Sequence, residues 1–96
     1  MEYLHVAWDQ SSADFPVDIY TELDEERWEV RKVEVFPDGH LQYADDWECT
    51  GNTGLGEHPT PAIEDMAGVD ELTPEVIDQA TFERMWEAAR KPSADS

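Results

Sequence analysis

Three histidines, His5, His40 and His58, one cysteine and 24 aspartates and glutamates are side chains that could bind a metal, relay a proton or act as a nucleophile. A metal site needs ligands gathered by close spacing or by one helix face, as in HExxH, and these histidines are far apart in sequence with none in an i, i+4 pair. Cys49 has no Cys or His at ligand spacing, no cysteine to pair with and no base beside it, so it reads as a small packed residue. Gly51-Asn52-Thr53-Gly54-Leu55-Gly56 has the glycines of a phosphate loop but lacks the Gly-Lys-Ser/Thr ending and a preceding apolar strand. Asp45, Asp46 and Glu48 do not follow the calcium-loop spacing with its central glycine. An acid and base pair for hydrolysis could be drawn from any of the 24 carboxylates, which singles out none. The expectation is a non-enzymatic protein with no catalytic residue, cofactor or metal.

Charge points to binding instead. Against six Lys and Arg the acids give a formal net charge of -18, so the surface repels phosphate backbones and anionic lipid, and neither nucleic acid nor membrane is an expected partner. The amino terminus has no basic stretch followed by an apolar run, and no segment is long and apolar enough to span a bilayer; with one unpaired cysteine, the expected compartment is the cytoplasm. Hydrophobic residues at 40%, four tryptophans among them, are too many for a disordered acidic chain. A chain of 96 residues holds one core, expected over residues 1–91 with 92–96 as a frayed tail.

The elements that position these residues begin with strands. Tyr3 to Trp8 alternates in period two, with Leu4, Val6 and Trp8 on one face and Tyr3, His5 and Ala7 on the other. From Val17 to Asp24, Val17, Ile19, Thr21 and Leu23 face one way and Asp18, Tyr20, Glu22 and Asp24 the other. In Trp28 to Phe36 the parity changes between Val30 and Val33, and a bulge that sets Arg31 and Lys32 together against Tyr20 restores one apolar face. The register is then Leu23 opposite Trp28, Thr21 opposite Val30, Ile19 opposite Val33 and Val17 opposite Val35, closed by Asp24-Glu25-Glu26-Arg27. Phe36-Pro37-Asp38-Gly39-His40 specifies a three-residue turn, because proline presets its first position and glycine accepts a left-handed one, and it pairs Val35 with Leu41 and Val33 with Tyr43.

Residues 46 to 62 hold three of the five glycines and two of the six prolines without periodicity and read as a long loop. Thr60-Pro61 suits the start of a short helical turn through Ile63 and Met66, and Thr73-Pro74-Glu75 fits either another helix start or a short extended segment. After Asp78 as cap, Phe82, Met85, Trp86 and Ala89 make the apolar stripe of a helix. The fold class that results is α+β: a four-stranded antiparallel sheet, a meander with a bulge, packed on one face by the C-terminal amphipathic helix. The position of the first strand in the sheet stays open, and Trp8, Trp28 and Trp86 are expected in the core.

HVAW at 5–8, RKVEVFPDG at 31–39, YAD at 43–45, LGEHPTP at 55–61 and FERMW at 82–86 resemble a family of small uncharacterised bacterial domains of about this length, known only as a domain of unknown function. The resemblance spans nearly the whole chain, but its motifs are core and turn residues, so it implies fold and bacterial origin and transfers no catalytic residue. Size and charge also resemble those of the immunity proteins that bacteria pair with secreted toxins.

The expected outer face combines Asp18, Glu22, Glu29 and Glu34 with Tyr20 and Phe36, beside Tyr3, with Asp24, Glu25 and Glu26 at its rim and Asp45, Asp46, Trp47 and Glu48 beyond. Aromatics among carboxylates suit a partner-binding surface, the rings as anchors and the acids steering a basic protein. A competing expectation has the 46–72 segment folded over this face, burying Tyr20 and Phe36. The leading expectation is a cytoplasmic immunity- or antitoxin-like protein, monomeric or weakly dimeric, that occludes the active site of a basic toxin or effector enzyme such as a nuclease. The alternatives are a nucleic-acid mimic that inhibits DNA-binding proteins, and a small ligand-binding or enzymatic domain built on the 51–58 loop.

Overall fold

In a computed structural model, which describes residues 1–45, 53–56 and 59–90, the alternating segments become β1 (Glu2–Trp8), β2 (Asp18–Leu23), β3 (Glu29–Val35) and β4 (Leu41–Ala44), followed by α1 (Ile63–Ala67), β5 (Leu72–Ile77) and α2 (Gln79–Arg90). The architecture is α+β, and its antiparallel sheet has five strands, not four, in the order β4-β3-β2-β1-β5. The added strand is the segment around Thr73-Pro74. A proline withholds one N–H from a ladder, which a strand tolerates at a sheet edge, and β5 pairs only with β1. The first strand thus lies between β2 and β5.

The turn chemistry at Pro37-Asp38-Gly39 works as expected. The Phe36 N–H donates to the His40 carbonyl at 3.0 Å, Gly39 has φ 93°, and Val35 pairs with Leu41 and Val33 with Tyr43. The β2–β3 register differs from expectation. Its irregularity falls between Glu22 and Leu23, which pair with Arg31 and Glu29, so Val30 is the extra residue and Tyr20 faces Val33 alone. The reason is that both faces of the sheet are covered, and β3 need not place all its valines beside Ile19 and Leu23. Val33 instead joins Tyr3, Phe82 and Trp86 in one core, with Tyr20, Tyr43 and Ile77 packed around it, while Leu4, Val6, Leu23 and Met66 form a second core with Ile63 and Leu72.

Helix α2 forms where the spacing places it, the Asp78 carboxylate accepting the Thr81 N–H at 2.8 Å and Phe82 and Trp86 becoming buried. It covers the face that carries Tyr3 and Tyr20, the one expected to be open to solvent. The opposite face is covered by α1 and by the chain at 53–56 and 59–62, a strap tied at both ends. At one end the Thr53 hydroxyl bonds Glu34 at 2.6 Å and Gln42 at 2.9 Å; at the other, Arg27 donates to the Thr60 carbonyl at 3.0 Å and the Pro61 carbonyl at 2.7 Å.

Candidate functional site

The β2–β3 loop is built by Asp24, whose carboxylate accepts the N–H groups of Glu26 at 2.9 Å and Trp28 at 3.0 Å. Arg27 closes the turn in a left-handed conformation, φ 67°, and its guanidinium reaches Glu2 at 2.5 Å as well as the strap. Displaced from the core by the bulge after it, Trp28 is 39% exposed, which corrects its expected burial. Beside the loop, Met1 is 71% exposed and with Asp24, Glu25 and Glu26 lines an open depression of about 440 Å³. The tip of this hairpin therefore presents two large apolar side chains next to three carboxylates.

Countercharge near this end is drawn inward. Arg31 bonds Glu22 at 2.6 Å and Glu83 at 2.6 Å, Lys32 meets Glu29 at 3.0 Å, and Arg27 is taken by Glu2 and the strap. Among the described residues the other lysine and arginine side chains, Arg84 and Arg90, both lie on α2. Burial by itself would push the Glu22 carboxyl up, but hydrogen bonds from Arg31 and Tyr3 outweigh it and hold Glu22 below the ordinary carboxylate range. The same bonds to Glu22 and Glu83 push the Arg31 guanidinium further up. Arg31 also lies over the Phe82 and Trp86 rings, 4.9 Å and 5.1 Å from their centroids, so this ion pair belongs to the helix core.

The residues expected to form one partner surface are consequently dispersed. Glu22 is 6% exposed and Phe36 is buried, stacked on His40 at 4.5 Å. Tyr20 packs against the core beneath α2 and stacks on His5, whereas Glu29 and Glu34 point to the strap, Glu29 accepting the Gly56 N–H and Glu34 the Thr53 hydroxyl. Asp45 is half-buried at the end of β4; Asp46, Trp47 and Glu48, like Cys49 and His58, lie outside the described residues. Of the expected set, Asp24, Glu25 and Glu26 stay together at the surface. Trp28 is the residue that sequence reasoning missed here, because a tryptophan in a strand favours a core assignment and only the bulge position reveals otherwise.

His5 makes the other concentration of titratable groups. Its Nε2 lies 2.8 Å from Asp18 on β2 and its Nδ1 2.7 Å from Glu75 on β5, with Tyr20 stacked on the ring at 4.5 Å. Both neighbours are acceptors, so the geometry suits an imidazolium donating from both nitrogens. Burial opposes that charge, and the hydrogen bonds to Glu75 and Asp18 overcome it, leaving the pKa raised. The carboxylates sit on opposite sides of the ring and clamp three strands together. No group of three or more His, Cys, Asp or Glu among the described residues could hold a metal ion, and no helix among them is long and apolar enough to cross a membrane.

Compared with known proteins, residues 2–91 match the model of a domain of unknown function, DUF6881, and the chain belongs to that family. No curated protein and no solved structure matches it.

Proposed function

We propose that this member of the family is a small acidic immunity- or antitoxin-like protein that binds a basic protein and occludes its active site, using the tip of the β2–β3 hairpin. The observation that carries this reading is the exposure of Trp28 and Met1 beside Asp24, Glu25 and Glu26, at an end of the molecule where Arg27, Arg31 and Lys32 are each engaged by carboxylates. An exposed tryptophan supplies anchor area, and a run of acids paired with no Lys or Arg side chain among the described residues raises the encounter rate with a cationic cleft such as that of an enzyme acting on an anionic substrate. Only charge and an aromatic anchor are required of the site, and no catalytic step is assigned to it. The test is capture from a host lysate at low and at moderate salt, with the chain itself and with a Glu25→Lys, Glu26→Lys, Trp28→Ala variant. A basic enzyme retained by the first, inhibited by it and lost from the variant is the expected result. Equal retention by the variant would remove the hairpin tip from the reading.

A further inference from the structure

Between the strap and the sheet lies a cavity of about 410 Å³ whose lining is mainly apolar. Its floor is Leu4, Val6, Ile19 and Thr21, and its roof includes Pro59 and Pro61. The space opens to solvent at its rim and falls within the roughly 300–1,000 Å³ range of small-molecule clefts. Arg27 holds the roof at the Thr60 and Pro61 carbonyls, and Thr53 bonds Glu34 and Gln42 at the far end of the described strap. The depression at the hairpin tip and the hollow beside Phe36 are lined largely by acids and other polar groups, so this cavity alone among the three has the apolar character of a small-molecule site.

We propose that it binds an uncharged, mainly apolar small molecule carrying one hydrogen-bond acceptor, such as a ketone or ester carbonyl. The polar wall selects that class. Lys32 has three N–H donors, of which Glu29 takes one at 3.0 Å and the Gly54 carbonyl another at 3.1 Å, leaving one for a ligand acceptor. Glu29 in the same wall, on a chain of charge -18, opposes an anion, and the Lys32 ammonium opposes a cation. Thr21 adds a hydroxyl to the floor. The inference is independent of the hairpin tip and of any protein partner.

Prodan, an uncharged naphthalene fluorophore with a single ketone, is a suitable probe. Saturable one-to-one binding with blue-shifted emission is expected; Ile19→Trp, which fills the floor, abolishes it, and Lys32→Met weakens it about fivefold, the loss of one hydrogen bond. Thermal unfolding checks that the filled variant folds, and Leu72→Trp serves if it does not. The smaller ketone 2-heptanone, followed by the methyl resonances of Leu4, Val6 and Leu72, covers the case in which Prodan is too large. Absence of both the emission change and the methyl shifts overturns the proposal. So does unchanged Prodan binding by a folded filled variant, or equally tight binding of the anionic fluorophore 1-anilinonaphthalene-8-sulfonate, which would refute the uncharged class.

Discussion

The face of the sheet beneath α2 and the face beneath the strap are made by the same strands, yet they bury different chemistry. Under α2, rings from Tyr3, Tyr43, Phe82 and Trp86 interlock, and the Glu22–Arg31–Glu83 bridge runs from buried Glu22 beside them to a partly exposed Glu83. Under the strap, aliphatic side chains meet a short helix and a tied loop, with open volume left between. Arg31 and Lys32 express the contrast at adjacent positions, one locked into the aromatic core and the other standing at a cavity wall. A long amphipathic helix can close a face by itself, whereas a five-residue helix and a loop close one only at its edges. Room for function is therefore found on the loosely covered face and at the hairpin end, away from the helix.

The contrast is broken most directly by truncation. Phe82→Ala is expected to destabilise by about 4 kcal/mol in denaturant unfolding, and Met66→Ala on the strap face by only about 2 kcal/mol, since its neighbourhood is already incompletely filled. Equal losses would mean that the two faces are equally well packed. Next come the adjacent cations: Arg31→Met strands the buried Glu22 carboxylate and costs about 3 kcal/mol, part of which is recovered by adding Glu22→Gln, while Lys32→Met costs about 1 kcal/mol. A double variant no more stable than Arg31→Met alone would show that the stranded charge is not the cause. The smallest effect belongs to His5. Its folded pKa is raised above the ordinary 6.5, so its contribution is complete below that pH and is lost as pH rises through the folded value. With the partner carboxylates partly solvated, the fall is no more than about 1 kcal/mol, and His5→Gln should abolish that part of the pH dependence of thermal unfolding.

Local rules made several of these elements legible. Pro37-Asp38-Gly39 sets a register through turn geometry alone, and the spacing of Phe82, Met85, Trp86 and Ala89 identifies both the helix and its buried stripe. The parity of β1 and β2 also reads directly from their alternation. The errors share one cause, the leading premise that a single face is covered; the competing expectation supplies a second cover but sets the 46–72 segment over Tyr20, where α2 lies, whereas its described part covers the opposite face. Under that premise the bulge had to align every valine of β3 with Ile19 and Leu23, which misplaced it, sent Trp28 inward and left Tyr20, Glu22 and Phe36 on an imagined open surface. β5 was ambiguous because Thr73-Pro74 is equally good chemistry for a helix start, and only its pairing with β1 decides. Glu22 with Arg31 and His5 with Glu75 depend on strands meeting across the sheet and with α2, which no local pattern encodes.

Arg27 occupies a backbone conformation that glycine or asparagine would adopt more easily, at a cost on the order of 1 kcal/mol. Glycine there would relax the turn and also release Glu2, the Thr60 carbonyl and the Pro61 carbonyl together. The hairpin closes over a loop of four residues, while the contacts of Arg27 join positions 25, 33 and 34 residues apart, whose loop closure is entropically dearer. Loop-closure entropy on its own therefore favours closing the hairpin before the amino-terminal strand and the strap join its guanidinium. One strained residue thus joins three parts of the chain that are distant in sequence: the hairpin, the amino-terminal strand and the strap.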